Sequence, residues 1–212
     1  MKLLSLTLLL LSPLSQALSL GKTPAVVAAP LLTERQTPQA RFTSIFASGT
    51  GCPSGSLGVS TITSNGQEAA LGYNRFNVSL GGASPQPRLA CSIRLDITIP
   101  AGCSRIEITG RYGGFGRFGR TMGALQTNTY SATTGTVIEN NDRFEFRGTE
   151  FDDGEATSKT DTIEINTGTV PREQNTRFTI GIDAEMRQSG TQAVGFFQVQ
   201  VSAYAIRRVT RC

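Results

Sequence analysis

CSIRLDITIP, residues 91 to 100, alternates without a break: Ile93, Leu95, Ile97 and Ile99 are apolar, and Ser92, Arg94, Asp96 and Thr98 between them are polar. Successive side chains of an extended chain point to opposite sides, so this segment has one dry face and one wet face only as a strand; on a helix the same apolar residues would scatter around the axis. The pattern recurs. SRIEITG places Ile106 and Ile108 inside, RFTIGIDAEMR places Phe178, Ile180, Ile182, Ala184 and Met186 inside, and FFQVQVSAYA puts Phe197, Val199, Val201 and Ala203 on one face. STITSNGQEAALGY predicts a hairpin closed by a two-residue turn at Asn65 and Gly66. Shorter strands are expected at 42–47, 126–131, 143–147 and 161–165. No useful window shows helical spacing. Half-wet sheets have to cover their apolar faces with one another, so the chain is expected to be all-β: a single-domain, two-sheet antiparallel β-sandwich of jelly-roll or immunoglobulin-like type.

Two pairings are predicted within it. Residues 93–99 and 106–108 are expected to form a hairpin with Ile97 opposite Ile106 and Ile99 opposite Ser104, and the strands around 178–186 and 197–203 a closing hairpin through Ser189 and Gly190. In the first register Cys91 lies beside Tyr112 while Cys103 is in the turn, too far apart for the roughly 7 Å Cα separation that a disulfide tolerates. That disfavours Cys91–Cys103 and leaves Cys52 and Cys212 each to join one of these two; a bond between Cys52 and Cys212 would strand two thiols.

The chain begins MKLLSLTLLLLSPLSQALS, a lysine followed by a short apolar run and small residues at Ser15 and Ala17. This is the layout of a secretory signal peptide spanning 1–17, with an apolar run too short to anchor in a membrane. A secreted, extracellular protein with no membrane span is therefore expected, and an oxidising compartment would let the four cysteines, Cys52, Cys91, Cys103 and Cys212, pair. Residues 18–41 carry three prolines and no periodicity and read as a flexible linker or propeptide, so the sandwich is assigned to 42–212.

Histidine is absent from the chain. Zinc sites that need imidazole are excluded, as are serine or cysteine nucleophiles activated by histidine. The formal charge of +4 falls to +3 once Lys2 leaves with the signal, which gives little long-range attraction for nucleic acid.

RYGGFGRFGR, residues 111–120, holds three arginines, three aromatics and four glycines. One copy outside the cytosol is not an RNA-binding array. It reads instead as a glycine-rich loop leaving the sheet, and Tyr112, Phe115, Arg117, Phe118 and Arg120 are candidates for a binding loop. Catalysis would have to come from carboxylates: Asp96 with Glu107, or Asp183 with Glu185, although Arg94 and Arg105 stand ready to form surface ion pairs with them. Glu150, Asp152, Asp153 and Glu155 form an acidic stretch that could offer oxygens to calcium, but its spacing is not that of an EF-hand and a solvated loop is the expectation. No metal or other cofactor is expected. Asn77-Val78-Ser79 is a glycosylation sequon.

GTGCPSGSLGVS (49–60), LACSIRLDITIPAG (89–102), RYGGF (111–115), FRG (146–148) and the closing Arg-x-x-Arg-Cys resemble the secreted fungal and bacterial family known as domain of unknown function 4360. The resemblance runs from about Phe42 to Cys212 and implies no particular activity. Family members carry a Trp-Ser-Pro-Cys-Gly segment where this chain has TGTVPREQNTRF, with Cys103 as a fourth cysteine elsewhere, so the family's disulfide pairing does not transfer. Together these features lead to the expectation of a non-enzymatic, disulfide-stabilised protein that binds cell-wall polysaccharide or a host or foreign surface protein. The alternatives are a carboxylate-based glycan-active enzyme and a secreted inhibitor or effector.

Overall fold

The computed structural model describes residues 39–81, 83–117, 122–139, 143–147, 156–188 and 195–210. The expected signal peptide, nearly all of the 18–41 segment, Phe118, Arg120, the 150–155 acidic run and Cys212 lie outside these residues.

Among the described residues, twelve antiparallel strands form two sheets. The five-stranded sheet runs β1 (Arg41–Ser48), β5 (Arg88–Ile99), β11 (Gln174–Gln188), β7 (Met122–Ala132), β9 (Arg143–Arg147). The seven-stranded sheet runs β2 (Leu57–Ile62), β3 (Glu68–Tyr73), β12 (Gly195–Thr210), β6 (Arg105–Arg117), β10 (Ala156–Asn166), β8 (Thr136–Glu139), with β4 (Asn77–Leu80) also paired to β12. The alternating isoleucines supply the core between them: Ile93, Ile97, Ile99 and Ile180 from one sheet meet Ile106, Ile108, Ile163 and Ile165 from the other, all fully buried. β-Branched side chains suit this role because extended backbone costs them little rotamer freedom. Each one buried contributes about 1.5–3 kcal/mol of hydrophobic free energy.

Both predicted hairpins are corrected. β5 pairs with β1 and β11, whereas β6 pairs with β12 and β10, so residues 93–99 and 106–108 lie in opposite sheets. β11 and β12 are likewise divided between the layers. The link from β5 to β6 is an arch, tied down where Gly102 N donates to Val170 O (2.7 Å) and Val170 N to Cys103 O (3.0 Å). Facing strands and paired strands both turn their apolar residues toward one core.

Along β12 the expected face switches. The pairing with β6 slips between Val199 and Val201, and beyond that bulge Ser202 and Tyr204 are buried while Val201 is exposed and Ala203 half-buried. One extra residue reverses the parity of everything after it. The β2–β3 hairpin forms as expected, but its loop is longer than two residues: Thr63 N donates to Glu68 O (2.9 Å) and Gly66 N to Thr63 O (2.8 Å). Gly66 takes φ of +71°. A side chain there would meet Phe42 O at 2.9 Å, where β1 passes close by.

Cys52 and Cys91 are joined, with Cα atoms 5.4 Å apart, one of the pairings left open by the sequence. Cys103 is also disulfide-bonded, and its partner lies outside the described residues.

Candidate functional site

The 111–120 stretch, expected to be a loop, is strand as far as Arg117. Gly114 within it, and Gly110 just before it, make room for rings on the inner face. A Cβ on Gly114 would fall 2.4 Å from Phe197 Cζ, and one on Gly110 would fall 2.8 Å from Tyr112 Oη. The stretch therefore divides between two environments: Tyr112 turns into the core, whereas Arg111, Phe115 and Arg117 turn to the outer face of the seven-stranded sheet.

Inside, a chain of hydrogen bonds crosses between the sheets. Gln126 Nε2 donates to Asn128 Oδ1 (3.0 Å), Asn128 Nδ2 to Tyr130 Oη (3.1 Å), and the Tyr130 and Tyr112 hydroxyls lie 2.9 Å apart. Tyr73 Oη donates to Ser202 Oγ (3.2 Å) nearby. Gln126, Asn128, Tyr112 and Ser202 are buried. Burial pushes the Tyr73, Tyr112, Tyr130 and Tyr204 hydroxyls well above the ordinary tyrosine range. These groups link one layer to the other, and all but the half-buried Tyr130 are closed off from solvent.

The two outer faces differ in how their charges are used. On the five-stranded sheet Arg88 grips Asp183 through two nitrogens (2.8 and 2.9 Å), Arg177 meets Asp96 (3.2 Å), Arg187 meets Glu185 (3.3 Å) and Arg143 meets Glu145 (3.1 Å). The bond from Ser44, then Arg177, holds the Asp96 carboxyl below the usual carboxylate range. The carboxylate pairs considered for catalysis do not survive this geometry. Asp96 and Glu107 lie in different sheets, both with side chains turned outward, and Asp183 and Glu185 are each taken up by an arginine. Among the described residues no three metal-binding side chains cluster.

On the seven-stranded sheet Arg105 meets Glu164 (3.0 Å), but Arg111 and Arg207 form no ion pair among the described residues. They flank a concavity of about 310 Å³ floored by Ala70, Ala203 and Ala205, with Thr61, Thr63, Thr109 and Glu68 at its sides. The two bulges of β12, at Val199/Val201 and Ile206/Arg208, bracket this floor. A bulge bends and twists its strand, and here each leaves two consecutive residues exposed, Gln200 with Val201 and Arg207 with Arg208. Further along the same face Phe115 stacks at a tilt on Phe196 (5.7 Å between ring centres), both half-buried.

Of the residues singled out in the sequence, the fold thus keeps Phe115 and Arg117 on one surface and withdraws Tyr112. It adds Phe196, Arg111 and Arg207. No local signal identifies Phe196 as the neighbour of Phe115, since some eighty positions intervene and the pairing depends on β12 lying beside β6. Asn77 is exposed on β4 at the margin of this sheet.

Residues 38–211 match the family described as a domain of unknown function (DUF4360). No curated protein matches the chain.

Proposed function

Because the chain belongs to the DUF4360 family, whose description names no activity, its role has to be sought on its own surfaces, and we propose that it is a secreted, non-enzymatic protein that binds cell-wall polysaccharide on the outer face of the seven-stranded sheet. The observation that carries this is the pairing, on one face, of an open concavity flanked by Arg111 and Arg207 with the half-buried Phe115–Phe196 ring pair. Half-buried rings stack on the apolar faces of sugars, and threonine hydroxyls beside a floor of alanines supply hydrogen bonds without blocking close approach.

The test is retention of the oxidised, signal-free protein on insoluble glucan, chitin and cellulose, with reducing-sugar release followed in parallel. Retention without sugar release, lost in the Phe115→Ala/Phe196→Ala variant, is the expected result. Release of sugar would make the protein an enzyme, and retention undiminished in the variant would move the site elsewhere.

A further inference from the structure

We propose that the polymer held in this groove is acidic, a chain of uronic acids whose carboxylates are taken by Arg111 and Arg207; this deepens the binding role given above and rests on it.

Arg111 lies in register with Thr160 of β10 on one side and Ala203 of β12 on the other, so neither cross-strand neighbour can offer it a carboxylate. Arg207 is the extra residue of the second β12 bulge and is exposed. On the opposite face Arg88, Arg143, Arg177 and Arg187 meet acids and Arg94 lies over the Phe46 ring (5.9 Å), while here two guanidinium groups stand over a concavity with one acid, Glu68, at its side. A planar guanidinium fork suits a carboxylate in two-point contact. Four steps along β12 lead from Ala203, beside Arg111, to Arg207, roughly 13 Å of strand, a span suited to a polymer that presents repeated acid groups.

The position within the sheet favours sugar over peptide. An extended peptide gains affinity by adding its backbone to a free sheet edge. The floor of this groove lies over β3, β12 and β6, three consecutive strands whose backbone groups are already bonded to one another, and the edge strand β2 reaches it only at the rim, through the Thr61 side chain. Recognition must then come from side chains: two guanidinium groups, three threonine hydroxyls and the Phe115–Phe196 platform.

The experiment compares binding of polygalacturonate and of its fully methyl-esterified form, which keeps the backbone and removes the charge, by calorimetry at low and at moderate salt. Wild-type protein is expected to bind the acidic polymer about tenfold or more tightly than the ester, with added salt narrowing the gap. The Arg111→Gln/Arg207→Gln variant, shown to be folded by circular dichroism, should lose that preference, and Phe115→Ala/Phe196→Ala should weaken both polymers. Equal affinity for the two polymers, or retention on neutral glucan with no binding of polygalacturonate, overturns the acidic ligand and leaves polysaccharide binding standing. Displacement of polygalacturonate by poly-glutamate at equal charge concentration overturns the sugar. Failure to bind these polymers or any insoluble one removes both proposals together.

Discussion

Alkali should unfold this domain abruptly. The chain has four tyrosines, Tyr73, Tyr112, Tyr130 and Tyr204. Three are almost wholly buried and the fourth packs against the core. Burial is the leading cause that raises all four hydroxyls above their ordinary value. The unfolded chain releases these protons as the pH passes about 10, whereas the folded one retains them, so stability is intact below that value and falls above it. Each retained proton costs about 1.4 kcal/mol for every pH unit beyond that point. Four together remove about 5–6 kcal/mol by pH 11, against a total of about 5–15 kcal/mol for a domain. Unfolding is therefore expected between about pH 11 and 12. Tyrosinate absorbance followed alongside far-ultraviolet circular dichroism tests this, and the absence of tryptophan leaves the near-ultraviolet aromatic signal dominated by tyrosine. The two signals should move together in one steep transition. Gradual ionisation centred near pH 10 with the sheets intact would refute the reasoning, because it would mean that water reaches these hydroxyls in the folded state.

Removing the Cys52–Cys91 bond by Cys52→Ser opens a link across 39 positions, and the loss should be about 4 kcal/mol on the chain-entropy estimate, read from urea midpoints. Gly114→Ala pushes a methyl into the Phe197 ring and should destabilise by about 1–3 kcal/mol; adding Phe197→Leu should recover part of that, and an additive double variant would show that the ring is not the obstacle. Asp96 has its pKa lowered by Ser44 and Arg177, so its contribution is present above the unfolded carboxylate value near pH 4 and disappears as the pH falls below it. The site is exposed, so Asp96→Asn should cost under about 1 kcal/mol at neutral pH and nothing in strong acid, as thermal unfolding at the two pH values would show. Asn128→Leu cuts the hydrogen-bond chain between Gln126 and Tyr130 and should destabilise by about 1–3 kcal/mol; a neutral result in the same urea assay would mean that the chain does not hold the layers together.

Alternation in the sequence identifies which side of each strand is dry, and for β5, β6 and β11 every residue expected inside is buried. It is silent on which sheet receives the strand. Ile97 and Ile106 look inward whether their strands lie edge to edge or face to face, and the choice between a hairpin and an arch depends on the corner at Pro100–Cys103 and its bonds to Val170, distant in sequence. Bulges are hidden for a related reason: Val199 and Val201 are equally apolar, and the extra residue between them is fixed by pairing with β6. The candidate site suffered from both. Phe115 was legible as an unusual residue, but its partner Phe196 and the arginines that face the groove are assembled by β12. The glycines of 110–116 invited a flexible loop because glycine is used both to bend a chain and to admit a neighbouring ring.

β12 lies between β3 and β6 and also carries β4. Without it β2 and β3 have no link to β6, β10 and β8, so one strand is the keystone of seven. Damage there should not peel away a margin but split the layer into two fragments, neither of which can cover the opposing sheet.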